Sequence, residues 1–294
     1  MIDTEALMNV IVPITMFTLM FGMGLTLTGA DFKRILQFPR ATLMGLTVQL
    51  VVSPAIGFGL AYGFDLPLMM AVGLVAVAAC PGGTTSNVIV HLGKGDTALS
   101  ITLTATATMA TLLTLPVWIN FSLFFFGGGE TTIQMPILKT AAQLGLFTVL
   151  PVALGMLARK LRPRLLEVEP AITKVSVVAM LSGLLTMAFV DENNTLGQAG
   201  QLVAPTLLFI LMAVVFGFAV PKMCGVGSRA SATIAVETCL KNVLLSLFVA
   251  TNSLQDLDAA LASAVAIVAI APMAILVMVM YNLGLKHQGR AKAS

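Results

Sequence analysis

The sequence predicts an all-α membrane protein of about nine transmembrane helices, and three observations carry that prediction. First, 58% of the 294 residues are hydrophobic and only 10% are charged, whereas soluble domains carry about a quarter charged residues. Second, the apolar residues come in blocks of about twenty, the length a helix needs to cross a hydrocarbon core of about 30 Å. Third, lysine and arginine collect in alternate loops, as the preference of cytoplasmic segments for positive charge requires. The blocks run the length of the chain, so a single anchor on a soluble domain is excluded. One integral membrane domain over residues 1–294 is expected.

A window of about 19 residues places the spans at roughly 8–29, 41–62, 68–92, 96–126, 136–158, 170–190, 200–221, 230–252 and 258–283. Lys33, Arg34 and Arg40, then Lys94, then Arg159, Lys160, Arg162 and Arg164, then Lys222 and Arg229 occupy every second connection. Lys286, Arg290 and Lys292 fill the C-terminal tail. The other connections hold Asp65, Glu130, Asp191, Glu192, Asp256 and Asp258, and the N-terminus holds Asp3 and Glu5. The N-terminus is therefore expected outside and the C-terminus in the cytoplasm, which an odd number of spans also demands. The start, MIDTEALMNVIVP, is acidic where a secretory leader is basic, so no cleavage is expected.

Polar residues at membrane depth are costly, on the order of 2.5 to 3.5 kcal/mol per charge, and need a reason. Two spans hold most of them. The third contains Cys80-Pro81-Gly82-Gly83-Thr84-Thr85-Ser86-Asn87, and the eighth contains Glu237, Thr238, Lys241 and Asn242. Proline removes a backbone hydrogen bond and glycine weakens a helix, so the third span should unwind there. Unwound backbone survives in a membrane only when buried in protein or lining a watery cavity. Its free amides suit an anion, and the oxygens of Ser86 and Asn87 suit a cation. The plain alternative is a proline kink. For Glu237 and Lys241 the plain alternative is a salt bridge across one helical turn, since the two are spaced i to i+4.

The two interruptions lie five spans apart. That spacing suits an inverted repeat of five plus five helices lacking the first helix, with two broken helices crossing near mid-membrane, a transporter architecture.

FGMGLTL at 21–27, CPGGTTSN at 80–87, ALS at 98–100 and ETCLKN at 237–242 resemble the bile acid:sodium symporter family, particularly its bacterial members. The resemblance covers nearly the whole chain, and the CPGGT-SN box is highly specific. It implies a ten-helix fold, here without its first helix. Panel helices would come in part from about 8–62 and 136–190, and core helices in part from about 41–126 and 200–283. The resemblance further implies symport of an organic anion with sodium. Its first sodium site maps onto Ser86, Asn87, Ser100, Thr104 and Glu237, oxygen donors of the kind a hard cation takes. Without the resemblance, Ser100 and Thr104 read as small-residue helix packing.

The second site departs from the family pattern. The resemblance assigns it Gln49, backbone carbonyls of the second crossover around Thr238 and Leu240, Glu237, and a glutamine four residues after the glutamate. Lys241 stands in that last position. An ammonium has no lone pair for a cation and repels one. The expectation is that Lys241 occupies the place of the second ion, pairing with Glu237 or with freed carbonyls. Such a carrier couples to one sodium, or to a proton. A substrate is expected where the breaks cross, facing Thr84, Thr85 and Asn242. A small monocarboxylate is favoured over a bile-acid-like anion because the last span, AIVAIAPMAILVMVMYN, offers little polar equipment.

Sodium-independent or proton-coupled carriage is the nearest alternative; a channel and a non-transporting membrane sensor are the others. No HExxH, nucleophile-base pair or nucleotide-binding loop is visible, so neither an enzyme nor direct ATP drive is expected. Cys80, Cys224 and Cys239 form no CxxC pair, which argues against disulfides, zinc and redox chemistry. No cofactor beyond the coupling sodium and no nucleic-acid partner is expected. Membrane lipid is the remaining partner, and a monomer is compatible with the sequence. The eighteen methionines read as apolar packing, His91 as interfacial, His287 as part of a basic tail, and Asn193-Asn194-Thr195 as a chance glycosylation match.

Overall fold

The computed structural model describes residues 4–33, 37–129, 135–190, 195–270 and 272–273. The described residues form helices and turns without any strand, as the sequence predicts. In chain order the helices are α1 (Thr4–Thr26), α2 (Gly29–Lys33), α3 (Pro39–Gly63), α4 (Leu68–Ala79), α5 (Thr84–Leu92) and α6 (Thr97–Phe126). They continue as α7 (Ile137–Leu161), α8 (Glu169–Val190), α9 (Thr195–Met223), α10 (Ser228–Cys239), α11 (Val243–Leu254) and α12 (Leu257–Ile270). Four segments, Pro39–Gly63, Thr97–Phe126, Ile137–Leu161 and Gly197–Met223, are long and apolar enough to cross a membrane. The expected third and eighth spans each consist of two shorter helices. The end of the ninth span beyond 273, the basic tail with His287, and Asp3, Arg34, Glu130, Asp191, Glu192, Asn193 and Asn194 lie outside the described residues.

The outer surface is apolar, with Leu138 84%, Leu92 73% and Phe124 64% exposed. Water would not tolerate so much bare hydrocarbon, and lipid does. Inside, α1 packs against α7 and α8. Gly155 makes the close approach possible, since a Cβ there would strike the Phe21 carbonyl and the backbone of Gly24. On the other side α3 packs on α4, α4 on α6, and α9 on α10.

Proline is absorbed rather than avoided. Pro54 has no N–H to give the Leu50 carbonyl one turn back, and the helix widens into a π-turn over Val48–Val52 just before it. The Leu50 carbonyl instead accepts the indole N–H of Trp118 on α6 at 3.0 Å. A helix-breaking residue thus becomes an attachment between α3 and α6.

Candidate functional site

The site begins where α4 stops. A residue before proline is pushed towards extended backbone, and Cys80 leaves the helix at φ −65°, ψ 151°. In the eighth span α10 stops at Cys239, and α11 restarts at Val243, where the Asn242 side chain accepts the Leu245 amide at 3.1 Å. The two interruptions satisfy each other. Gly82 and Lys241 form an antiparallel bridge; the Gly83 amide donates to the Leu240 carbonyl at 3.2 Å, and the Asn242 amide to the Pro81 carbonyl at 2.8 Å. The third span is therefore a true break and not a proline kink, and the two interrupted backbones run antiparallel where they meet.

On one side of this crossing lies a buried cluster of oxygens. Glu237 and Ser100 are completely buried, as are Ser86 and Thr104. Ser86 Oγ is 2.6 Å from Glu237 Oε1 and 2.5 Å from the Gly83 carbonyl. Ser100 Oγ contacts Glu237 Oε1 and lies 2.7 Å from Asn87 Oδ1. Thr104 Oγ1, one turn along α6, is 2.9 Å from Glu237 Oε2 and 3.0 Å from the Ser100 carbonyl. These six oxygen–oxygen contacts share three hydroxyl protons, because each hydroxyl carries one. With Glu237 ionised and Asn87 presenting Oδ1, three of the six contacts have no proton between the oxygens. All five residues assigned to the first sodium site by resemblance therefore meet at one point. Gly82 allows it, since a Cβ there would collide with Glu237 Oε2.

The other residues of the second-site region, Gln49, Thr238, Leu240 and Lys241, take part in none of these contacts. Gln49, wholly buried, accepts the Gly82 amide on Oε1 at 3.2 Å, while its Nε2 has no partner. Thr238 turns its hydroxyl back to the Ile234 carbonyl at 2.7 Å. The Leu240 carbonyl is taken by Gly83. Lys241, 5% exposed, donates from Nζ to the Cys80 carbonyl at 3.0 Å. The turn-spaced bridge between Glu237 and Lys241 does not form. The i to i+4 rule presumes a continuous helix, and α10 ends between the two residues.

A cavity of about 150 Å³ opens beside the crossing. Thr84, Thr85, Lys241 and Asn242 line it together with Met20 of α1 and Ser176 of α8. The sequence reading misses the last two, because nothing in the local pattern says that α1 and α8 face the crossing. Ser176 is 2% exposed, and its hydroxyl has no partner. A larger groove of about 680 Å³ between α9 and α12, walled by residues such as Val203, Leu207 and Val265, has no polar side chain to orient an anion. Among the described residues no cluster of His, Cys, Asp and Glu could hold a metal ion of the transition series, and the three cysteines are unpaired.

Crossed broken helices around a buried carboxylate define a class of multi-pass membrane proteins. The chain belongs to the sodium bile acid symporter family, whose model matches residues 13–199. That match takes in Gln49, the 80–87 box, Ser100 and Thr104, while the Glu237 half of the crossing lies beyond it. Relatives extend further. The uncharacterized sodium-dependent transporter YocS of Bacillus subtilis (strain 168) is 30% identical over 244 residues, 82% of this chain and 74% of that protein. A probable sodium/metabolite cotransporter, BASS2, chloroplastic, of Oryza sativa subsp. japonica is 30% identical over 256 residues, 86% of this chain and 59% of that protein. The chain thus spans less than two thirds of the rice relative. The human ileal sodium/bile acid cotransporter is 25% identical over 247 residues, 82% of this chain and 69% of that protein. These relatives are named as transporters and cotransporters.

Proposed function

We propose that this protein is a secondary carrier that moves a small organic monocarboxylate together with sodium. The observation that carries the reading is the oxygen cluster around Glu237, which with the carboxylate ionised has more oxygen–oxygen contacts than protons to fill them. A hard monovalent cation supplies the missing positive charge and accepts oxygen ligands without geometric demand. Ser86, Asn87, Ser100, Thr104 and Glu237 would bind it. The donors come from α5, α6 and α10, so binding the ion ties the two broken helices to α6.

The anion would sit in the adjoining cavity against Thr84, Thr85 and Asn242, close to the first-turn amides of α5. The size of that cavity, about 150 Å³, falls below the roughly 300 to 1,000 Å³ of sites for drug-sized ligands. This favours a small carboxylate over a bile-acid-like one. Gln49, Thr238, Leu240 and Lys241 form the altered second-site region, and Lys241 takes the place of a second ion there. In this reading α1, α7 and α8 are panel helices, and the crossing belongs to the core. Nine spans, with the N-terminus outside and the C-terminus in the cytoplasm of a bacterial cell, complete the proposal.

A thermal-shift screen tests it. Sodium is expected to raise the unfolding temperature of the purified chain over potassium, and a small monocarboxylate to raise it further, since ligands that bind only the native state stabilise it. Accumulation of that anion in proteoliposomes under an imposed sodium gradient completes the test. Sodium-independent stabilisation by the same carboxylate would favour a sodium-independent carrier, and a gradient-independent conductance a channel.

A further inference from the structure

Three formally charged residues are buried among the described residues: Asp31, Glu237 and Lys241. Asp31 belongs to α2, where its carboxylate accepts the amide and hydroxyl of Thr28 at 2.8 and 2.6 Å. Glu237 and Lys241 are left at the crossing, one of each sign, and they engage different partners. Glu237 takes its side-chain hydrogen bonds from the hydroxyls of Ser86, Ser100 and Thr104. Lys241 reaches across the break to the Cys80 carbonyl, at the C-terminal end of α4. A helix end of that polarity attracts a cation, and the carbonyl is one the break has freed. An ammonium has three donors. One is spent on Cys80, and Lys241 also lines the cavity.

We infer that Lys241 is a tethered cation that supplies the second positive charge of the crossing, so the carrier binds one sodium ion and balances the anion with its own lysine. The inference rests on the sodium reading given above and deepens it. Glu237 answers the sodium, and Lys241 answers the carboxylate. The empty carrier holds one negative and one positive group, and the loaded carrier adds one cation and one monovalent anion. Neither form then carries net charge at the crossing, and a full cycle with a monovalent anion moves none. A carrier of this kind is driven by the sodium concentration gradient and not by the membrane potential. The device costs no sodium ion, because the lysine stays with the protein on the return step.

Counting bound 22Na+ on the purified full chain in lipid nanodiscs decides the matter with the ion alone. The expected result is one saturable site per wild-type chain, two in Lys241→Gln, and one in Lys241→Met. The glutamine restores an oxygen donor and removes the charge, whereas methionine removes the charge without giving an oxygen. Two sites in the wild type overturn the inference, as does a single site in folded Lys241→Gln. If either variant fails to fold, the wild-type count still discriminates. No saturable sodium in the wild type overturns the sodium reading itself, a failure distinct from the other two.

Discussion

Ser86 and Glu237, separated by 151 residues of sequence, meet at 2.6 Å in the interior of the protein. Ser86 opens the second half of one broken helix, and Glu237 closes the first half of the other. Their contact, repeated by Ser100 and Thr104 from α6, converts two local helix interruptions into a single buried acceptor site.

Glu237→Gln keeps the size of the side chain and removes its charge. A carboxylate that accepts three hydroxyls would become an amide with one acceptor oxygen, and hydrogen bonds to charged groups contribute about 1.5 to 3 kcal/mol each. Sodium affinity is expected to fall roughly 100-fold, about 2.7 kcal/mol. Half-saturation of the sodium-induced thermal shift is the measurement. An unchanged value would place sodium elsewhere.

Gly82→Ala inserts a methyl group where Glu237 Oε2 already lies. Overpacking of this kind costs about 1 to 3 kcal/mol. The variant is expected to melt below the wild type and to lose most sodium stabilisation, because the carboxylate must move away from Thr104. Thermal unfolding with and without sodium separates the two effects.

Trp118→Phe removes the donor that satisfies the Leu50 carbonyl and keeps an aromatic ring. A loss of about 1 kcal/mol in stability is expected. Sodium affinity should not change, since Trp118 touches none of the cluster. A sodium shift equal to that of the wild type, superimposed on a lower melting temperature, is the predicted result.

Ser176→Ala removes a buried hydroxyl that has no partner within the protein. Because an unpaired buried polar group is a cost, the variant without ligand is expected to melt at or slightly above the wild-type temperature. If the hydroxyl serves the anion, the shift produced by a stabilising carboxylate shrinks, about tenfold in affinity or 1.4 kcal/mol. An undiminished carboxylate shift would remove Ser176 from the binding surface.

Much of the crossing is legible in the amino-acid sequence. The Pro81-Gly82-Gly83 run announces its break because proline and glycine act on their own backbone, and Ser86, Asn87, Ser100, Thr104 and Glu237 are assigned through their resemblance to a family motif. The partner of Lys241 is not legible there. A one-turn spacing makes Glu237 its natural neighbour, but the helix ends at Cys239, and the lysine turns to Cys80 instead. Nor does any local signal single out Met20 or Ser176 as cavity wall. Each sits in an ordinary apolar span, and what it faces depends on how α1 and α8 stand against the crossing.

The sequence by itself determined the apolar helices and the places where two of them break, because chain length, hydropathy and backbone preference are local properties. The tertiary structure alone decided that the breaks bond to each other across the Gly82–Lys241 bridge, that Glu237 gathers hydroxyls, and that Lys241 does not reach it. Those outcomes follow from which unsatisfied backbone groups are brought together, and buried polar groups must find partners wherever the packing of whole helices puts them.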